Sequence, residues 1–198
     1  MKRTLPEGFA FEADLVAIGA SAGGIDALFA LLQDLRAPLA GAVAIVLHLP
    51  EDHESRLAEV FGNRLQVPVQ EAQAHQPIQP GWVYFAPPGY HLLVEADRSF
   101  SLSCDPPVLF SRPSIDVFFE SCADAIGERL LGIVLTGANE DGARGLARIK
   151  ALGGLTAVQD PAEAAHPAMP EAAVRIARPD FLLSLAGLAG LLQTVLRR

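Results

Sequence analysis

The stretch Asp14-Leu15-Val16-Ala17-Ile18-Gly19-Ala20-Ser21-Ala22-Gly23-Gly24 constrains this chain more than any other. Its first half is an unbroken apolar run, which predicts a strand buried on both faces. Its second half is small residues that lead into an amphipathic segment, Ile25 to Leu35. A strand that turns at once into a helix brings backbones close together, and small side chains permit the approach.

Ser21 is the one residue of that turn able to do chemistry. Gly19-Ala20-Ser21-Ala22-Gly23 has the form G-x-S-x-G, a sharp strand-to-helix turn that lifts a serine hydroxyl clear of a sheet. Amides at the helix start add positive potential, which suits an oxyanion or a phosphate. Two other readings stand beside the nucleophile. One is a Gly-rich turn with an incidental serine. The other is a dinucleotide fingerprint, Gly19-x-Ser21-x-x-Gly24, with its middle glycine replaced. That glycine is what lets the backbone reach a pyrophosphate. An acidic residue should then follow about 20 residues on to hold the ribose. The next strand, Ala42 to Leu47, delivers His48 instead, and a histidine there serves a serine better than a ribose.

With 198 residues, 51% of them hydrophobic, the chain can bury a full core. It reads as a short tail, residues 1–13, and one domain, residues 14–198. A net charge of −8, with the 15 Lys and Arg scattered, disfavours a nucleic-acid-binding surface. Cys104 and Cys122 form neither a disulfide framework nor a metal-ligand pattern, so a reduced, cytoplasmic protein is the simplest expectation. Membrane insertion is not expected, because no apolar run reaches the roughly 18 residues a span needs, Phe181 to Leu196 coming closest.

Read in order, a helix over 24–35 and the strand over 42–47 close a βαβ unit, which implies a parallel sheet. Residues 53–61 have helical periodicity. From Val67 to Ser103, short apolar runs (67–69, 82–86, 91–94 and 100–102) alternate with turn residues and predict hairpins, either extending the sheet or forming a flap beside it. Ser114 is a candidate N-cap for a helix to about Ile126. A strand over 130–135, a helix to about Leu152, a strand over 155–158 and a helix over 171–177 follow. The leucine-rich end, Phe181 to Leu196, reads as a last strand and a docked helix. The fold class is α/β: a doubly wound, mostly parallel, Rossmann-like three-layer sheet with an antiparallel hairpin extension.

Open α/β sheets bind ligands where their strands end. Ser21, His48 and Asp141 all follow predicted strands, and together they suit acyl transfer: attack by serine, proton transfer by histidine, orientation by aspartate. Each has a plainer reading, His48 as a cap on the sheet edge and Asp141 as an N-cap before Gly142-Ala143. His166 is a rival base, since Ser21…Asp141…His166 follows the α/β-hydrolase order. His53 and His75 read as surface residues and His91 as structural. His48 and His53 lack a third ligand at useful spacing, so no metal is expected.

The chain also resembles the catalytic domain of the chemotaxis protein-glutamate methylesterases, the CheB family. The resemblance rests on Ile18-Gly19-Ala20-Ser21-Ala22-Gly23-Gly24, His48-Leu49-Pro50, Ala86-Pro87-Pro88-Gly89-Tyr90-His91 and Arg112-Pro113-Ser114-Ile115-Asp116-Val117. It continues through Leu135-Thr136-Gly137, Asp141-Gly142-Ala143, Gly153-Gly154, Gln159-Asp160 and Ala168-Met169-Pro170. It implies a Ser-His-Asp esterase, with Ser21, His48 and Asp141 as the triad and no cofactor. The substrate would be glutamate methyl esters on the cytoplasmic helices of methylated chemoreceptors, with some receptor glutamines deamidated as well. Ala138-Asn139 stands where the family usually has Met-Gly, in a loop that resembles part of its oxyanion pocket. Family members usually carry a receiver domain ahead of this one. Only about 13 residues precede the first strand here, so phosphorylation control within this chain is not expected, and a separate regulatory protein is a candidate partner. The alternative on the same fold is a weakly active or inactive regulatory or binding module of a sensory pathway.

Overall fold

Residues 1–48 and 55–197 are described by a computed structural model. The unbroken apolar runs became the inner strands, as burial on both faces requires. β1 (Leu15–Ala20), β2 (Ala42–Leu47) and β7 (Leu130–Val134) are buried at every position. Numbered in chain order, the others of the main sheet are β3 (Val69–Glu71), β4 (Val83–Phe85), β8 (Leu155–Gln159) and β9 (Phe181–Leu183). The sheet is parallel throughout, in the order β3-β4-β2-β1-β7-β8-β9.

Successive strand residues point to opposite faces, which divides the core in two. Val16, Ile18 and Ala20 face one side, under α1 (Gly24–Leu32), α2 (Leu57–Gly62) and α6 (Leu185–Val195). Leu15 and Ala17 face the other, under α3 (Ile115–Ile126), α4 (Ala143–Ala151) and α5 (Ala168–Ala177). That is the three-layer, doubly wound arrangement expected. No helix among the described residues is long and apolar enough to cross a membrane. The expected start of α2, including His53, lies outside the described residues.

The region from Val67 to Ser103 is where the sequence misleads. The runs 67–69 and 82–86 do not form a hairpin: β3 and β4 pair in parallel, Val69 with Val83 and Glu71 with Phe85. A parallel pair needs a crossover, and here it is extended chain rather than a helix. It lies beside β6 (Phe100–Ser103), where His75 N donates to Phe100 O (2.7 Å) and Ile78 N to Arg98 O (2.9 Å). The true hairpin of this region is β5 (His91–Val94) with β6, a separate two-stranded sheet on the α3 side, realising the flap alternative. Residues 1–13 are tied in at several points. Lys2 pairs with Phe181 beyond β9, and the Phe9 ring meets that of Phe181 edge-on at 5.4 Å.

Two glycines fit the first turn to its surroundings. Gly23 has φ +76°, a conformation that other residues adopt only with strain, and it caps α1 two residues after Ser21. Gly19, inside β1, lies under Ile115, whose Cγ2 a Cβ at Gly19 would overlap. Ile115 is fully buried and cannot give way cheaply. Gly19→Ala should therefore cost about 2 kcal/mol by overpacking, measurable as a lower midpoint in urea unfolding. A variant as stable as the wild type would mean that α3 shifts freely over the sheet.

Candidate active site

The order of the strands decides what meets at their carboxyl ends. β2, β1 and β7 are neighbours, and they release His48, Ser21 and the loop to Asp141 at the same edge. The chain winds outward in opposite directions from β1 and β7, so the edge above them is the topological switch point, where such sheets leave a crevice. An open cleft of about 340 Å³ lies beside it, at the ends of β1 and β2, and Ser21 and His48 share its wall with Ala22, Ile25, Asp26 and Leu47.

Asp141 is wholly buried, and its carboxylate is crowded with donors. Its Oδ2 faces His48 Nε2 at 2.9 Å and accepts from Ile115 N at 2.7 Å. Its Oδ1 accepts from Ser114 Oγ (2.9 Å), Asp116 N (2.9 Å) and Gly142 N (3.0 Å). The start of α3 thus delivers its unpaired amides to a carboxylate from another loop, and its positive end suits that charge. Burial alone would raise the Asp141 pKa. The bond from His48 and the amides of Asp116 and Ile115 outweigh it and hold the carboxyl below its ordinary value.

An ionised Asp141 at Nε2 fixes the proton of neutral His48 on that nitrogen and leaves the Nδ1 lone pair free to accept one. Ser111 Oγ lies 3.4 Å from Nδ1. The Ser21 turn is gripped by the strand next door: Ser21 N donates to Thr136 O (3.0 Å), and Thr136 Oγ1 donates to Ala22 O (2.9 Å). His166 joins this grip only through its backbone, its N donating to Thr136 Oγ1 (2.8 Å). Its side chain is exposed and makes no hydrogen bond among the described residues. The amides of Ala22 and Ala138 have no acceptor among the described residues. Asn139 turns its Oδ1 back to accept from Asp141 N (3.1 Å).

A model of the CheB methylesterase family matches residues 16–192. The chain belongs to the CheB methylesterase family. A Leptospira interrogans member is 41% identical over 178 residues, 90% of this chain and 92% of its own length. The protein-glutamate methylesterase/protein-glutamine glutaminase of Symbiobacterium thermophilum is 37% identical over 88% of this chain, which spans 48% of that longer protein. The crystal structure of the Thermotoga maritima CheB methylesterase catalytic domain superposes with a TM-score of 0.87 at 25% identity. That match covers 91% of this chain and 97% of the other.

Several residues at this CheB-family site could not be picked out as such from the sequence. Ser111 sits in a stretch that reads as plain loop. Ser114 is the N-cap expected, but it also donates to Asp141 across 27 residues, which local spacing cannot reveal. His91 Nδ1 accepts from Ser114 N (3.1 Å) while Nε2 meets Pro106 O (3.1 Å), a neutral ring that fixes the start of α3. Asp116 answers Asp141 by accepting from Gly145 N, in the first turn of α4, at 2.7 Å. Burial lifts its pKa to about 6 against that amide, and the nearby Asp141 charge adds to the rise.

Proposed function

We propose that this protein is a serine esterase that hydrolyses glutamate methyl esters on the cytoplasmic helices of chemoreceptors. The supporting observation is the delivery of Ser21, His48 and Asp141 by three adjacent strands, with Asp141 bonded to His48 Nε2. Ser21 Oγ attacks the ester carbonyl as His48 Nδ1 takes its proton. The tetrahedral oxyanion is met by the Ala22 and Ala138 amides. Its collapse expels the methoxy group, which leaves as methanol with the proton from His48, and a glutamyl ester of Ser21 remains. Water, deprotonated by His48, then releases the glutamate. Asp141 stays ionised throughout and stabilises the imidazolium. A side-chain amide enters the same acyl-enzyme with ammonia as leaving group, so receptor glutamines are a second substrate. No cofactor takes part, and the work is done in the cytoplasm, where the receptor helices lie.

The regulatory-module alternative drew on Ala138-Asn139. Asn139 Oδ1 is occupied with the Asp141 amide, and the Ala138 amide, without an acceptor among the described residues, is available to an oxyanion, which favours the esterase reading. The test is labelling with an alkyl fluorophosphonate while following methanol release from a methylated chemoreceptor cytoplasmic fragment. The label should fall on Ser21, and release should stop in proportion to labelling. Release that continues after complete labelling of Ser21 would sink the serine mechanism. No release by the folded, receptor-binding protein would restore the regulatory module.

A further inference from the structure

Beside the catalytic edge the chain makes a small projection with an unusual tip. Val108 and Ser111 exchange both backbone hydrogen bonds, Val108 N to Ser111 O (3.1 Å) and Ser111 N to Val108 O (2.9 Å). Between them, Leu109 and Phe110 have φ of +48° and +62°. Two successive positive φ values are the pattern of a type I′ turn, whose favoured residues are Asn, Asp and Gly. A Leu-Phe pair there is strained, and it also wastes apolar surface. Leu109 is 41% exposed, and Phe110 alone among the large hydrophobics of the described residues is fully exposed.

The projection is braced from below. Arg112 Nη1 donates to the carbonyls of Cys104 (3.2 Å) and Asp105 (3.3 Å), and the buried His91 holds Pro106 O. The tip is therefore presented on a prepared base. It is also continuous with the site: Ser111, next to Phe110, reaches His48 Nδ1. Other exposed apolar side chains lie round the same edge, Ile25 in the wall of the Ser21 cleft and Tyr90 beside the Gly89–Arg112 backbone bond. Single exposed hydrophobics are commonplace, but a rim of them around a reactive centre marks a place where another surface seats.

We propose that the Leu109–Phe110 tip is a docking finger for the protein substrate, seating in an apolar hollow beside the glutamyl ester that enters the cleft. This rests on the esterase reading above. An aromatic side chain on a braced turn contributes contact area with little further ordering, the property of an interface anchor. The finger would select protein esters over free ones, since a small ester reaches Ser21 without touching it.

The test compares wild type, Phe110→Ala and Leu109→Asn/Phe110→Gly on two esters: the methylated chemoreceptor cytoplasmic fragment and N-acetylglutamate γ-methyl ester. The double variant gives the turn its preferred residues while removing the apolar tip, so its Tm should hold or rise. Both variants should raise KM for the receptor fragment about tenfold. Their kcat/KM on the small ester should stay within about twofold of wild type. An unchanged KM for the fragment, or an equal loss on both esters, would overturn the finger and leave the esterase reading intact. Wild type that cleaves the small ester but neither binds nor cleaves the fragment would overturn the substrate assignment, and the finger with it. Self-association of the wild type that the double variant abolishes, with KM unmoved, would assign the tip to a second copy of this chain instead.

Discussion

Ser21→Ala is expected to release methanol from a methylated chemoreceptor fragment about a million-fold more slowly than wild type, with no loss of stability. The contrast between the two effects comes from how the turn is held. Ser21 N donates to Thr136 O and Gly24 N donates to Ser21 O, both backbone bonds that alanine keeps. Only the hydroxyl is lost, and with it the atom that the proposed mechanism acylates. His48→Ala should cost about as much, because residues that act as one unit lose their effect together. His166→Ala should change turnover by no more than a few-fold, since Asp141 faces His48 and not His166. A His166→Ala variant as inactive as Ser21→Ala would make His166 the base and reduce His48 to a support.

Asp141→Asn is expected to lower kcat about 10⁴-fold and to cost about 3 kcal/mol of stability. The carboxylate accepts at both oxygens, and an amide can accept at only one. If the NH₂ group takes the place of Oδ1, it confronts Asp116 N and Gly142 N. In the place of Oδ2 it opposes only Ile115 N, while His48 Nε2 can adapt by becoming an acceptor. That second arrangement is the less costly, and it moves the imidazole proton to Nδ1, the nitrogen that must accept from Ser21. The enzyme then folds, less stably, with its base in the wrong tautomer. The wild-type carboxyl also carries a pH signature. Its folded pKa lies below the unfolded one, so its contribution is complete above the unfolded carboxyl range near 4. The contribution is lost as pH falls through the folded value, and Asp141→Asn should flatten that part of the acid unfolding curve. Turnover within tenfold of wild type would show that His48 needs no partner to hold its tautomer.

What the sequence made legible follows from how far each signal reaches. β2 lies at the predicted residues, because an unbroken apolar run between turns has one reading. Ser21 and His48 stood out for the same reason, each following such a run directly. Asp141 lies seven residues beyond the end of β7 and was marked by the Asp141-Gly142-Ala143 start of the next helix. β3 and β4 were misread because three-residue strands carry too little pattern to distinguish parallel from antiparallel. Their crossover, lacking helical periodicity, gave no warning. The contacts of Lys2 and Phe9 with Phe181 join opposite ends of the chain and leave no local mark. Nor do the bonds of Ser111 and Ser114 to the site, since each depends on which loops the strand order brings together.

The exchange of carboxylates between α3 and α4 has an evolutionary consequence. Asp141, just ahead of α4, ties down the first amides of α3, and Asp116, in the first turn of α3, ties down an amide of α4. Each helix therefore registers the other, and the chain between residues 107 and 110 makes none of the bonds that hold them. That segment is free to drift in sequence, because drift there leaves the reacting aspartate where it was. If the proposed finger seats the substrate, a lineage can exchange one target protein for another by rewriting a few exposed residues beside an unchanged site.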